Sequence, residues 1–298
     1  MSNFTKSKEL RLKYKVQNLI TQLRLTMTIN CLGKLIDLTS PKVMGILNVT
    51  PNSFYDGGKH SDDESVLFQV EKMLSEGATF IDIGAYSSKP SAEFVSEEEE
   101  ISRLIPVIQL VLNHFPDTLI SVDTFRAKVA KAAIEKGACI INDISAGSLD
   151  AEMMATVAKL HVPYIMMHMK GNPQTMQSMA NYENITKEML FYFSEKVAQA
   201  RSLGISDLLI DPGFGFAKTK DQNFDVMNNL ELFQMLELPI LVGVSRKSMI
   251  YKTLETSPEF ALNGTTVLNT IALQKGANIL RVHDVKEAME TIKLVSQL

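Results

Sequence analysis

Short apolar runs recur along the chain, and each is followed by a segment with helical periodicity. Most of the runs are near-continuous rather than alternating, which is typical of strands buried on both faces of a parallel sheet. Their spacing leaves room for one strand, one helix and connecting loops in every repeat. The predicted strands are 42–48, 79–84, 118–123, 138–143, 163–168, 207–211, 239–245 and 277–283.

Glycines punctuate this pattern. Gly77, Gly137 and Gly276 each stand just before a predicted strand, where a glycine supplies the left-handed cap of the preceding helix. Eight βα units in 298 residues predict a single (β/α)8 barrel, an α/β fold. The alternative is an open, doubly wound sheet with a helical appendage. The sequence has no Pro/Gly/Ser-rich linker, so we expect one barrel domain over 27–298, preceded by an extension over 1–26.

Charge separates the extension from the barrel. The formal net charge is −4, but residues 1–26 carry six cations against one acid. The barrel is therefore acidic, which argues against nucleic acid as the main partner. The basic extension is interpreted as a surface helix, an organellar transit peptide, or a segment before a true start at Met27.

Two further classes are excluded by composition. No apolar run is long enough for a membrane span. Two cysteines cannot build a disulfide framework or a four-cysteine zinc site, so a reduced, cytoplasmic setting is expected.

Polar residues end almost every predicted strand. In a barrel these ends open onto one face, where such folds carry out their chemistry. We expect one polar mouth of mixed charge. Its members are Asn48, Asp82, Asp123, Asn142, His168, Asp211, Ser245, Arg246, Lys247, Arg281 and His283.

One part of this mouth suits a flat heterocycle. Asp211 can accept two parallel N–H bonds from an amidine-like edge, and Asp123 and Asn142 add acceptors and a donor. Phe214 and Phe216, which follow Asp211, offer flat apolar surface. Together they favour a ligand with a guanine-like donor edge. A metal site built from Asp82, Asp123 and Asp211 is the competing interpretation.

Another part suits an anion. The segment 245–248 (Ser-Arg-Lys-Ser) follows the seventh strand, and Arg281 and His283 end the eighth, where barrels commonly bind phosphate. Neither a dinucleotide fingerprint nor a P-loop is present. Polar loops over 50–58 and 86–91 follow the first two strands and are interpreted as lids.

The motifs resemble those of the dihydropteroate synthase family. The resemblance spans the chain from about residue 41 to its end and rests on strings in the family's order. They are GILNVTPNSFYDGG (45–58), DIGAYSSKP (82–90), SVDT (121–124), INDI (141–144), MHMKGNPQTMQ (167–177), LIDPGFGF (209–216), VGVSRKS (242–248) and RVHDV (281–285).

The resemblance implies a barrel enzyme that joins dihydropterin-CH2-diphosphate to 4-aminobenzoate and releases diphosphate. It assigns the pterin to Asp123, Asn142, Asp211, Lys247, Met167 and Phe216, with Asp82 in the same pocket. It assigns the diphosphate and Mg2+ to Asn48, Arg281 and His283. It places Phe54, Ser88 and Lys89 over the bound substrates and Ser245 near the aminobenzoate carboxylate. Asp123, Asp211, Lys247, Arg281 and His283 are the expected catalytic set, and a homodimer is the expected assembly.

The second loop departs from the family pattern Gly-Glu-Ser-Thr-Arg-Pro-Gly. Lys89 keeps the charge of the family's arginine but loses its forked donor geometry, and Ser91 replaces a glycine. Two alternative functions share the expected pterin pocket. A pterin-dependent methyltransferase has no need of the anion site, and a catalytically dead pterin-binding module would be expected to have lost some residues of the mouth.

Overall fold

The computed structural model describes residues 27–49, 59–86 and 95–298. The basic extension 1–26 and the predicted site residues Phe54, Ser88 and Lys89 lie outside the described residues.

Eight parallel strands form the barrel and confirm the predicted fold. They are β3 (Lys42–Asn48), β4 (Phe80–Gly84), β5 (Leu119–Asp123), β6 (Ile140–Asp143), β7 (Tyr164–Met167), β8 (Leu208–Asp211), β9 (Leu241–Val242) and β10 (Ile279–Val282). Strands that follow one another along the chain lie side by side in the barrel, and the first barrel strand, β3, also pairs with the last, β10. A parallel bridge between Ile210 and Ile240 joins β8 to the β9 segment and closes the ring.

Helices cover the outside of this ring. They are α1 (Lys59–Ser75), α2 (Glu97–His114), α3 (Ala127–Glu135), α4 (Met153–Leu160), α5 (Ile185–Ser202), α6 (Lys220–Asn228), α7 (Ser248–Tyr251), α8 (Leu262–Gln274) and α9 (Val285–Val295). Gly77, Gly137 and Gly276 have φ values of 104°, 103° and 96°, so they are the left-handed caps that the sequence predicts. No helix in the described part of the chain is both long and apolar enough to cross a bilayer.

The strands place alternate side chains on the two sides of the sheet, which divides the core. Outward residues such as Ile81, Val122 and Leu280 pack in one large cluster with the helices. Inward residues at the amino-terminal ends of the strands, such as Met44, Phe80 and Ile279, form a second cluster inside the barrel. The interior is therefore apolar at its lower end, and the inward polar residues are confined to its upper end.

A hairpin closes the lower end, and the sequence pattern does not predict it. Its strands are β1 (Thr28–Cys31) and β2 (Lys34–Asp37), joined through Leu32 and Gly33 with φ values of 53° and 88°. Two residues of positive φ are usual in a tight hairpin turn, but Leu-Gly is a weak sequence signal for one. Ile29 and Leu38 are buried against the apolar layer inside the barrel, so the hairpin acts as its floor.

Leu38→Ala should therefore lower the free energy of unfolding by about 2–5 kcal/mol, because it leaves a cavity under the barrel. Leu35→Ala is the matched control: the same change in the same hairpin, at a side chain that is 70% exposed. It should change stability by less than about 0.5 kcal/mol. Urea denaturation of both variants measures the difference, and equal losses would show that the hairpin is not a floor.

Candidate active site

The Arg281 guanidinium lies in the upper part of the barrel between two carboxylates. Its Nε donates to Asp82 Oδ2 at 2.6 Å and its Nη2 donates to Asp123 Oδ2 at 2.8 Å. Asn142 Nδ2 donates to the same Asp82 oxygen at 3.0 Å. Four strands thus contribute one polar cluster, as the predicted mouth requires.

The local sequence makes room for this cluster. Asp123 and Asn142 are paired across β5 and β6, so their side chains lie at the same level. Gly84 ends β4 beside Asp123, and a Cβ at Gly84 would lie 3.3 Å from Asp123 Cβ. The absence of a side chain at position 84 therefore leaves space for Asp123 inside the barrel.

Burial makes Asp123 a weaker acid than an exposed aspartate. Loss of hydration raises the pKa of Asp123 to about 7, although the Arg281 charge acts in the opposite direction. Its side chain keeps 23% of its surface exposed, whereas Asp82 is fully buried. Asp123 is therefore the more exposed of the two carboxylates that Arg281 binds, and it faces the opening of the mouth.

Asp211 ends β8, and its orientation is fixed. It is 5% exposed, and its Oδ1 accepts the Gly213 N–H at 2.7 Å. Burial raises the pKa of Asp211, and the Lys247 charge is the main opposing influence. The second carboxylate oxygen makes no hydrogen bond with a described residue, so it is available to a ligand.

Lys247 lies over the loop that follows Asp211. Its Nζ donates to the Phe214 carbonyl and stands 4.9 Å from the centroid of the Phe216 ring. Burial lowers the pKa of Lys247 to about 8, against the influence of Asp211. Its amine therefore stays mostly protonated at pH 7.

Apolar side chains line the same side of the mouth. Met167 and Phe216 pack with Met169, Met176 and Ala217 in a small cluster separate from the main core. The expectation that Phe214 also offers surface to a ligand is wrong, because Phe214 is fully buried in the outer core. The segment lies beyond the end of β8, so strand alternation does not apply to it, and Phe216 is the phenylalanine that packs in the cluster at the mouth.

Ser245 and His283 contact each other at the ends of β9 and β10, across the mouth from the apolar cluster. The His283 backbone N–H donates to Ser245 Oγ at 3.2 Å, and that oxygen lies 3.0 Å from His283 Nδ1. Desolvation and the Arg281 charge lower the pKa of His283 to about 4, so the ring is neutral at pH 7. With the serine hydroxyl donating to Nδ1, the Nε2–H of the exposed ring points away from Ser245 and can donate to an anion.

Two residues expected in the mouth lie elsewhere. Arg246 donates to both Asp284 carboxylate oxygens, at 2.8 and 2.9 Å, and to the Glu259 carbonyl, so it ties surface loops together. His168 is 2% exposed and contacts Lys218 beneath the loop after β8. A polar residue that follows a strand can turn outward or downward, and the sequence pattern does not distinguish these outcomes.

The carboxylates do not form the metal site considered from the sequence. Arg281 already occupies the space between Asp82 and Asp123, and no cluster of three metal-binding side chains occurs among the described residues. Asn48 is exposed at the end of β3, and its side chain makes no hydrogen bond with a described residue.

Sequence reasoning missed two buried charged groups near the mouth. Glu100 is fully buried, accepts the Thr124 hydroxyl at 2.8 Å and pairs with Arg126 at 2.6 Å. The same guanidinium donates to the Val95 carbonyl and stacks near the Tyr86 ring. The acidic run 97–100 is the first turn of α2, but nothing in its sequence marks Glu100 as buried. The second buried charged group is Lys218, which is 4% exposed.

Comparison with known proteins identifies the family of this chain. The model for "Pterin binding enzyme" matches residues 44–283. The chain belongs to the pterin-binding enzyme family. It is 43% identical to dihydropteroate synthase of Escherichia coli strain K12 over 265 residues, which is 88% of this chain and 93% of that protein. The Haemophilus influenzae dihydropteroate synthase is also 43% identical, covering 88% of this chain and 95% of that protein.

Solved structures agree. A Yersinia pestis dihydropteroate synthase with a sulfonamide drug is 40% identical with a TM-score of 0.85, covering 91% of this chain and 98% of that one. The Xanthomonas albilineans dihydropteroate synthase with 4-aminobenzoic acid is 37% identical with a TM-score of 0.84, covering 91% and 97%. The resemblance drawn from the motifs is confirmed: this is a transferase of the dihydropteroate synthase type.

Removal of the Arg281 charge should destabilise the barrel. Arg281→Met leaves Asp82 buried without its cation, and we expect a loss of about 3–5 kcal/mol in the free energy of unfolding. The double variant Asp82→Asn/Arg281→Met should recover part of that loss, because only Asp123, which is 23% exposed, is then left without its cation. Urea denaturation at pH 7 compares the two, and an unchanged stability of Arg281→Met would contradict the ion-pair geometry.

Proposed function

We propose that the mouth of the barrel joins (7,8-dihydropterin-6-yl)methyl diphosphate to 4-aminobenzoate and releases diphosphate. The observation that carries this proposal is the juxtaposition of two kinds of site. Asp211, Asp123 and Asn142 offer hydrogen-bonding groups to a flat heterocycle, and Arg281 and His283 stand at the same opening for an anion.

The pterin is held by its donor edge and its faces. Asp211 presents a carboxylate oxygen to the guanine-like edge, and this charge-assisted bond is stronger than a neutral one. Asp123 and Asn142 contact the ring from the neighbouring strands, with Asp82 orienting Asn142 from below. Met167 and Phe216 cover the ring faces, and Lys247 donates to a ring acceptor.

The anion site combines three residues with a metal. Arg281 and His283 would donate to the diphosphate, and Asn48 would hold Mg2+ through its amide oxygen, the kind of ligand that this ion prefers. The exposed Asn48 amide at the end of β3 supports this assignment. When bound, the metal would neutralise charge on the leaving diphosphate.

The reaction requires no covalent enzyme intermediate. The C–O bond between the pterin methylene and the diphosphate breaks, and its electron pair leaves with the diphosphate. Positive charge develops on the methylene and the pterin ring, where Asp123 and Asp211 stabilise it electrostatically. The neutral arylamine then attacks the methylene carbon and releases a proton to solvent.

The second substrate requires residues around the rim. The Xanthomonas albilineans relative with 4-aminobenzoic acid supports this substrate for the chain. Phe54, Ser88 and Lys89 remain the residues we expect to cover it. Ser245 stays a prediction for a position near the aminobenzoate carboxylate, and its contact with His283 places it at the rim.

The chain is proposed to act as a homodimer in the cytoplasm. Leu254, Phe260 and Val267 belong to neighbouring segments between β9 and β10 and are 52%, 77% and 50% exposed, which favours a contact with a second copy. Both cysteines are free thiols, in keeping with a reducing compartment.

The function is tested by diphosphate release. The purified enzyme with both substrates and Mg2+ should release diphosphate, and omission of 4-aminobenzoate should abolish formation of dihydropteroate. Chelation of the metal should suppress turnover, and readdition of Mg2+ should restore it. The absence of dihydropteroate under the complete condition would refute the proposal.

Asp211→Asn should weaken binding of the pterin severely. The amide presents an N–H toward the donors of the ligand, and we expect a loss of about 2–4 kcal/mol, or roughly 30- to 1000-fold in affinity. Calorimetry with a phosphate-free pterin measures it. A change of less than about threefold would remove Asp211 from the site.

A further inference from the structure

Lys218 is a buried lysine beneath the loop that follows β8. The side chain is 4% exposed, although the residue stands just after Phe216, which reaches the mouth. Its ammonium lies 2.9 Å from the Gly213 carbonyl, 3.0 Å from the Phe216 carbonyl and 3.4 Å from the His168 carbonyl. It also lies 3.0 Å from His168 Nδ1. Four acceptors thus surround a group with three protons to donate.

The partners of this ammonium are neutral. Burial and the Lys218 charge lower the pKa of His168 to about 2, so its ring is uncharged and Nδ1 can accept a hydrogen bond. No carboxylate of the described residues forms an ion pair with Lys218, although the Asp211 charge acts to raise its pKa. Burial lowers the pKa of Lys218 to about 7. Burial of a cation without an ion-pair partner costs stability.

The hydrogen bonds of Lys218 lead directly to Asp211. Lys218 binds the carbonyl of Gly213, and the N–H of the same residue donates to Asp211 Oδ1 at 2.7 Å. Gly213 has a φ of 68°, and a Cβ there would lie 2.3 Å from the His168 carbonyl oxygen. Gly213 is therefore packed against the His168 carbonyl, and Lys218 holds the carbonyl of the residue whose N–H orients Asp211.

The rest of the loop is fixed from the side. Ala217 has a φ of 47°, which is uncommon for a residue with a side chain, and its carbonyl accepts the Tyr182 hydroxyl at 2.9 Å. Asn223 Oδ1 accepts the Gly215 N–H at 2.6 Å. Lys218 binds the carbonyls of both Gly213 and Phe216, so it links the backbone of the residue that orients Asp211 to that of Phe216, whose ring packs in the apolar cluster of the mouth.

We propose that Lys218 is a positioning residue for the pterin. Its ammonium sets the backbone of 213–216 beneath the ring, and its charge favours the ionised form of Asp211, without contact between Lys218 and the ligand. The inference rests on the proposed role of Asp211 in pterin binding.

The test uses Lys218→Met in the full-length enzyme. Calorimetry with phosphate-free 6-hydroxymethylpterin should show at least about a tenfold rise in Kd, because both the loop and the Asp211 charge lose their support. Steady-state kinetics should show a matching rise in KM for the pterin substrate, with KM for 4-aminobenzoate changed less than about twofold. Lys220→Met, at an exposed lysine two residues away, is the matched control and should leave both constants unchanged.

A double-variant cycle separates positioning from general damage. In an Asp211→Asn background, Lys218→Met should add less than about a threefold further loss, because both changes act on one interaction. Lys218→Gln keeps an N–H donor for the carbonyls but loses the charge, so its Kd should fall between those of wild type and Lys218→Met.

The outcomes are distinct. Binding of the pterin by wild type together with unchanged affinity in Lys218→Met would overturn the inference and leave the proposed function intact. Additive losses in the cycle, equal losses for both substrates, or failure of both Lys218 variants to fold would also overturn it. No binding by wild type would instead refute the proposed function.

Discussion

The ion pairs of Arg281 with Asp82 and Asp123 are the interaction on which the mouth of this barrel depends. A fully buried carboxylate such as Asp82 is tolerated only when a cation and hydrogen bonds compensate its lost hydration. Arg281 supplies the cation from β10, two strands away from Asp82, and Asn142 supplies a further donor. The polar layer can therefore stand directly above an apolar one, and the hairpin floor seals that lower layer from water.

Buried charges also compensate one another in the side of the mouth that β8 and its following loop form. Burial raises the pKa of Asp211 and lowers the pKa values of the nearby Lys218 and Lys247, and the opposite charges of these groups partly offset that effect. Such mutually dependent groups are common at functional sites, where the environment is arranged for a ligand rather than for stability. A ligand that offers donors to Asp211 and an acceptor to Lys247 would complete this arrangement.

Much of the barrel and of its polar mouth could be predicted from the sequence. The runs of buried strand residues and their polar ends follow from strand periodicity and from the topology of a barrel, so the inward carboxylates were found. The hairpin floor was missed because Leu32-Gly33 is a weak turn signal. Phe214, Arg246 and His168 were misplaced because strand periodicity stops at the strand end. Lys218 and the Glu100–Arg126 pair were missed because their burial depends on contacts far apart in sequence. The roles assigned to the site residues remain predictions.

The central claim is that the polar mouth of the barrel is a pterin and diphosphate site. The most direct measurement is a crystal structure of the enzyme soaked with a phosphate-free pterin and diphosphate in the presence of Mg2+. The account predicts the donor edge of the pterin against Asp211, its ring beside Met167 and Phe216, and the anion against Arg281 and His283. A heterocycle bound outside the mouth, or one whose donor edge points away from Asp211, would contradict the account.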